Sequence, residues 1–379
     1  MIIGVPKEVK NNEYRVAITP AGVAELVHRG HEVIIEHQAG AGSSFDDNDF
    51  KAAGAQIFGS AAEVWDQADM ILKVKEPIEQ EYELMKLGAK GSNGDKKGQV
   101  LFTFLHLAAS RACTDALLSA GTTSIAYETV QAADGSLPLL APMSEVAGRL
   151  APQVGAVALM KSAGGRGVLM GGVPGTAPAE VVVIGGGVSG VNAATIAVGM
   201  GAHVTVFDLD INKLRAIDAR FGGRVATRYS TTLDLHEAIK NADLVIGAVL
   251  IPGAKAPMLV PNSLVAQMKP GSVLVDIAID QGGCFEDSRP TTHDDPTFTV
   301  HDSVFYCVAN MPGSVARTST MALTNATLPF VLKLADKGWK SALQSDASLA
   351  KGLSTHDGEL LCPHVSEALD IELGSSPLV

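Results

Sequence analysis

The chain has 379 residues, 46% hydrophobic and 5% aromatic, with a formal net charge of −12 at pH 7. One core rarely grows so large, so two domains are expected. The acidity excludes the basic face of a nucleic-acid binder, and the scarcity of aromatics excludes a base-stacking platform. The N-terminal MIIGVPKEVKNNEYR lacks the layout of a signal peptide. Cys113, Cys284, Cys307 and Cys362 stand far apart, without CxxC or metal spacing. They read as reduced thiols of a cytoplasmic protein, and no metal is expected.

Strand and helix patterns alternate along the chain, which implies parallel sheets. MIIGVP reads as a strand. Thr19 caps a helix with Pro20 at its first position and Gly30 just past its end. HEVIIEHQ is a strand, DDNDFKAAGAQI helical, DMILKVKEP and QVLFTFLHLA strands, SRACTDALLSAG a helix and TTSIAYETV a strand. KGSNGDKKG, residues 90–98, is a polar glycine-rich loop that interrupts this unit.

MSEVAGRLAPQVGAVALMK predicts a long helix with few charges, joining two units, followed by the glycine-rich GGRGVLMGGVPGTAPA. A second unit then begins. VVVIGGG, HVTVFD, RVAT, LVIGAV and SVLVDIAID are strands, with helices over 189–200, LDLHEAIKNAD and PNSLVAQMK. The run Val181–Phe207 carries no Asp, Glu, Lys or Arg. Its glycines and the polar Ser189–Asn192 split it into strand, turn, helix and strand, so no membrane span is expected. A helix is predicted from about Thr318 to Lys337, and the last residues read as amphipathic pieces that do not extend a sheet. They pack back on the first unit. The expected fold class is therefore α/β. Two doubly wound Rossmann-like parallel-sheet domains are joined by a long helix, and one of them is discontinuous. The predicted boundaries are 1–138 with 317–379 for the discontinuous domain and 139–316 for the continuous one.

Gly185, Gly187 and Gly190 match G-x-G-x-x-G between a β-branched strand and an apolar helix. Gly185 allows a tight turn, Gly187 close approach to a pyrophosphate, and Gly190 close packing of helix on sheet. Free N–H groups at Val188 and Ser189 open the helix. Asp208 ends the next strand, 18 residues after the last glycine, where a carboxylate accepts from ribose hydroxyls and repels a 2′-phosphate. This favours NAD over NADP.

Ligands of doubly wound sheets sit beyond the carboxyl ends of strands. Arg15, Lys75, His106, Asp280 and Asn310 fall at such positions. Each also has a plain reading. Arg15 pairs with Glu8 or Glu13, Lys75 is a solvated edge lysine, and His106 is a satisfied core histidine. Asp280 caps the turn at Gly282-Gly283, and Asn310 is turn chemistry before Met-Pro-Gly. Together they describe a site for a 2-amino or 2-oxo acid. A guanidinium clamps a carboxylate, an ammonium polarises a carbonyl, an imidazole exchanges protons and a carboxylate orients water or ammonia.

MIIGVPKEVKNNEYRVAITPAGV, LKVKEP, LFTFLHLA, GGRGVLMGGVPG, VDIAIDQGGCFEDSRPTTHDDPTF and VANMPGSVARTST together resemble bacterial L-alanine dehydrogenases, nearly end to end. The 90–98 loop departs from that family by its length. The resemblance implies reversible conversion of L-alanine, NAD and water to pyruvate, ammonium and NADH. It casts His106 as acid/base and Asp280 as catalytic carboxylate. Arg15, Lys75 and Asn310 would bind substrate. Ser144, Asp208, Lys213, Ser230, Val249, Leu250, Ile277, Asp280 and Met311 would contact the nucleotide. It further implies a cytoplasmic homohexamer whose domains close over their ligands. The alternatives are the nucleotide-binding subunit of a proton-translocating transhydrogenase, a lysine- or saccharopine-type dehydrogenase, or a catalytically inactive NAD-binding protein.

Overall fold

A computed structural model describes residues 1–88, 98–249 and 256–378. In chain order the strands are β1 (Ile2–Val5), β2 (Glu32–Glu36), β3 (Gln56–Phe58), β4 (Met70–Leu72), β5 (Val100–Thr103) and β6 (Thr123–Ala126). They continue with β7 (Glu180–Ile184), β8 (His203–Asp208), β9 (Val225–Tyr229), β10 (Leu244–Gly247) and β11 (Val273–Asp276). The last are β12 (Thr297–Val300), β13 (Ser303–Tyr306), β14 (Leu353–His356) and β15 (Glu359–Leu360). The chain divides into two compact units, Met1–Pro142 with Val315–Val379, and Met143–Ser314.

The first unit holds one sheet in the order β15-β14-β6-β5-β4-β1-β2-β3. From β6 to β3 every pair is parallel, and the winding reverses between β1 and β4. The second unit repeats the plan as β12-β13-β11-β10-β7-β8-β9, parallel except for β12, with the reversal between β7 and β10. Both are α/β, Rossmann-like and doubly wound.

The central strands of the second unit, β7, β10, β11 and β13, are buried on both faces, as parallel sheets covered by helices must be. Val181, Val183, Val204, Val206, Leu244 and Ile246 pack toward Ala193, Ala194 and Ala197 of the helix Val188–Gly199. Val182, Ile184, Phe207, Val245, Leu274 and Phe305 form the opposite layer. Full burial of each such side chain contributes roughly 1.5–3 kcal/mol. The uncharged stretch 181–207 is thus β7, a turn, one short helix and β8. Among the described residues no helix is long and apolar enough to cross a membrane.

The long helix is Ala141–Ala158, and the unit boundary falls in its first turn. Its glycines let it press on the second unit. A β-carbon at Gly148 would stand 2.2 Å from the carbonyl oxygen of Ser189, and one at Gly155 would stand 2.7 Å from Leu244. The helix Ala316–Lys337 returns the chain to the first unit. There Thr320 Oγ1 accepts from the amide of Val16 and bonds the Ser43 hydroxyl at 2.8 Å.

Two expectations are corrected. The segment read as wholly helical, DDNDFKAAGAQI, is a helix only over Asp47–Ala52. Gly54, at φ +102°, breaks it, and Gln56–Phe58 becomes edge strand β3. The C-terminal residues do extend a sheet. β14 pairs antiparallel with β6 and β15 with β14, around Asp357 (φ 44°) and Gly358 (φ 85°). An Asp-Gly pair with both residues at positive φ is the chemistry of a two-residue hairpin, and here it overrides the helical reading. Most of the polar loop read over 90–98 (89–97) lies outside the described residues.

Candidate functional site

In the second unit the glycine turn links β7 to the helix Val188–Gly199. Gly185 sits at φ +104°, where a β-carbon would meet the Ala248 carbonyl oxygen at 2.7 Å and the Val249 nitrogen at 3.1 Å. A β-carbon on Gly190 would collide with the Gly185 carbonyl oxygen. At Gly187, the residue that caps the helix, a β-carbon would meet nothing within 4 Å. Two glycines are therefore demanded by the fold, and the third leaves open space beside the helix N-terminus. That geometry fits a phosphate group, which seeks free N–H donors and the positive end of a helix dipole.

Asp208, the last residue of β8, ties this turn to the next one. Its Oδ2 accepts from the Gly186 amide at 2.6 Å and its Oδ1 from the Asp210 amide at 2.7 Å. Lys213 Nζ lies 3.8 Å from Oδ2, and the Ser230 amide donates to the Asp208 carbonyl oxygen. Gly186, Lys213 and Ser230 are thus linked through Asp208, and the backbone of Val249 lies beside Gly185. Ser144 lies one helical turn before Gly148, the residue pressed on Ser189. Met311 is buried in the core of this unit and Ile277 packs against that core. Leu250 lies outside the described residues.

Asp280 is exposed on a single helical turn, Ile279–Gln281, past the end of β11. The residue that shapes its loop is Asp276. This fully buried carboxylate accepts from the amides of Ala278 (3.0 Å) and Cys284 (2.8 Å) and from the Ser288 hydroxyl (2.6 Å). Burial pushes its carboxyl above the ordinary range, against the pull of these donors. Asn310 occupies the left-handed region at φ 62°, and its carbonyl oxygen accepts from the Gly313 amide and pairs with His293 Nε2 at 3.3 Å.

In the first unit, Arg15, Lys75 and His106 follow the C-terminal ends of the neighbouring strands β1, β4 and β5. The parallel sheet brings all three to one edge. Arg15 is buried and forks onto Glu13, with Nε to Oε1 at 2.7 Å and Nη2 to Oε2 at 2.5 Å. Glu8 is taken elsewhere. It and Glu81 both bind the buried ammonium of Lys73, at 3.0 and 2.8 Å. Burial raises the Glu8 carboxyl, while the two carboxylates overcome burial and raise Lys73. Lys75 is buried as well, not a solvated edge lysine.

β5 ends at Thr103, three residues before His106, so the histidine stands past the strand rather than in it. Its backbone is left-handed at φ 48°, a strained setting for a non-glycine residue. Glu128 holds it there, accepting the amides of Leu105 (3.1 Å) and His106 (2.7 Å) on Oε1. The imidazole stacks near Phe104, with its Nδ1 3.0 Å from Glu76 Oε2. Lys10 pairs with the other oxygen of Glu76. Burial opposes ionisation of Glu76, but the hydrogen bond and charge of His106, with Lys75 and Lys10, hold its carboxyl well below the usual range. The imidazole remains 37% exposed.

The glycine turn with its carboxylate lies in the second unit, and the solvent-reachable imidazole braced on a carboxylate lies in the first. The residues match two consecutive family descriptions, "Alanine dehydrogenase/PNT, N-terminal domain" over 4–147 and "Alanine dehydrogenase/PNT, C-terminal domain" over 151–363. The alanine dehydrogenase of Mycolicibacterium smegmatis is 71% identical over 371 residues, 98% of this chain and 97% of that protein. A solved L-alanine dehydrogenase superposes with a TM-score of 0.92 at 51% identity, covering 98% of this chain and all of that one. A transhydrogenase from Sinorhizobium meliloti gives 0.78 at 26% identity, covering 96% and 99%. The class is that of the amino-acid dehydrogenases, which are oxidoreductases. The chain belongs to the alanine dehydrogenase/PNT family.

Proposed function

We propose that the protein catalyses the reversible reaction of L-alanine, NAD and water to pyruvate, ammonium, NADH and a proton. The observation that carries the reading is the nearly full-length 71% identity to a protein named alanine dehydrogenase. The transhydrogenase-subunit reading rests on 26% identity. NAD, when bound, supplies the hydride acceptor.

The remaining steps fall to this chain's residues. The turn Gly185–Gly190 and the helix start at Val188-Ser189 receive the pyrophosphate, and Asp208 accepts from the adenosine ribose. Lys213 and Ser230 flank that position, with Ser144, Val249, Leu250, Ile277 and Met311 along the remainder of the nucleotide. Arg15, oriented by Glu13, binds the substrate carboxylate, with Asn310 as a further polar contact. Lys75 polarises the carbonyl of pyruvate. His106 exchanges a proton as water adds to the imine and ammonia leaves, and Asp280 orients the water or ammonia. The assembly is proposed to be a cytoplasmic homohexamer with the division of labour given by the two units, substrate in the first and nucleotide in the second.

The test is NADH absorbance on mixing the protein with NAD and L-alanine at alkaline pH. NADH formation is expected. None formed, with NAD still bound, overturns the reading. His106→Ala should abolish turnover and leave NADH binding intact, and turnover persisting within roughly tenfold overturns its assigned role.

A further inference from the structure

We infer that Glu76, backed by Lys10, is a positioning residue that fixes which nitrogen of His106 exchanges the proton. This rests on the reading of His106 as the acid/base. An ionised carboxylate can only accept a hydrogen bond. Glu76 Oε2 faces Nδ1 at 3.0 Å, so Nδ1 carries the hydrogen and Nε2 is left as the basic nitrogen. A free imidazole has no such constraint. Lys10 occupies the other oxygen of Glu76, which prevents the carboxylate from turning away.

Among the described residues, the charged groups that face this pair come from three parts of the unit. Lys10 follows β1, Lys75 and Glu76 follow β4, and Glu128 lies after β6 on the amides of Leu105 and His106. Beside His106, Lys75 and Lys10 the Glu76 carboxyl is held in its ionised, accepting form. The arrangement orients one ring nitrogen through the other, as carboxylates do for metal-bound and triad histidines. Glu76 does not touch substrate in this role.

The experiment uses the full-length protein with NAD and L-alanine, comparing Glu76→Gln, Glu76→Ala and His106→Ala with the parent. In Glu76→Gln one oxygen becomes an amide NH₂, which must face either Lys10 or Nδ1. Turnover is expected to fall roughly 10–100-fold in Glu76→Gln and further in Glu76→Ala, with KM for alanine and NADH affinity nearly unchanged. The shape of the kcat/KM profile against pH should change in Glu76→Gln, because the carboxylate that holds the Nδ1 hydrogen is gone. A parent-like pH profile and turnover in Glu76→Gln, with His106→Ala inactive, overturns the inference while leaving the histidine's role intact. Turnover surviving in His106→Ala overturns both. Independently of folding in the variants, ¹⁵N spectra of histidine-labelled parent should show the neutral His106 protonated on Nδ1. Protonation on Nε2 overturns the inference.

Discussion

A β-carbon at position 190 would stand 1.8 Å from the carbonyl oxygen of Gly185. No side chain can be fitted there without moving the turn away from the helix. Gly187 differs, since a β-carbon there meets nothing within 4 Å and its φ is −76°. Gly190→Ala should therefore destabilise the protein by about 3 kcal/mol. Gly187→Ala should leave stability within about 0.5 kcal/mol but weaken NAD at least tenfold, roughly 1.4 kcal/mol. Urea unfolding and NADH fluorescence titration on the same two variants separate the effects.

Asp208→Ala should weaken NAD far more than it slows the chemistry. The loss includes two backbone hydrogen bonds that shape the turn, so the rise in Kd for NAD should be about tenfold or more. Discrimination against NADP should relax, since the carboxylate that repels a 2′-phosphate is gone. Steady-state kinetics with both nucleotides check this, and an unchanged NAD affinity removes Asp208 from the ribose position.

The Lys73 cluster yields a pH prediction. Its folded ammonium titrates above the ordinary 10.5, so its contribution is complete below that value and is lost only as pH rises beyond it. Lys73→Met leaves Glu8 and Glu81 buried without a cation and should cost about 3–5 kcal/mol at neutral pH. Glu8 titrates above its ordinary 4.5, so its protonated form is the one that tolerates burial. The penalty in Lys73→Met should shrink as pH falls toward 4.5, read from urea midpoints across that range. Adding Glu8→Gln to Lys73→Met should recover part of it at neutral pH.

Asp276→Asn should cost about 1–3 kcal/mol despite near-identical shape. Both carboxylate oxygens accept hydrogen bonds, and the amide NH₂ would confront the Ala278 amide or the Cys284 amide and Ser288 hydroxyl. Ser288→Ala removes only one donor and should cost about 1 kcal/mol. Thermal unfolding of the two variants tests this order.

How far the sequence could be read depended on the range of the interaction. The G-x-G-x-x-G turn and the β-branched runs are local patterns, and their elements lie within a residue or two of expectation. Arg15 was legible as a paired residue but not its partner, because Glu8 and Glu13 both precede it by a few residues and only packing sends Glu8 to Lys73. Glu76 carried a faint signal as the residue after Lys75 in LKVKEP. Glu128 carried none, since it acts on backbone amides more than 20 residues away that no side-chain pattern encodes. Asp276 was hidden by its neighbour, because VLVDIAID offers two carboxylates and burial alone tells them apart. The C-terminal hairpin was missed for want of length, with strands of four and two residues.

That hairpin sets the order in which the molecule can be finished during synthesis. Thr355 donates its hydroxyl to the carbonyl of Thr122, 233 positions upstream, and bonds the Ser124 hydroxyl at 2.7 Å. The second unit is complete once Ser314 has emerged, whereas the first, although begun earliest, must wait for β14 and β15. During synthesis the later-encoded unit has all its strands first, and the earlier one lacks the partner of β6 until β14 has emerged.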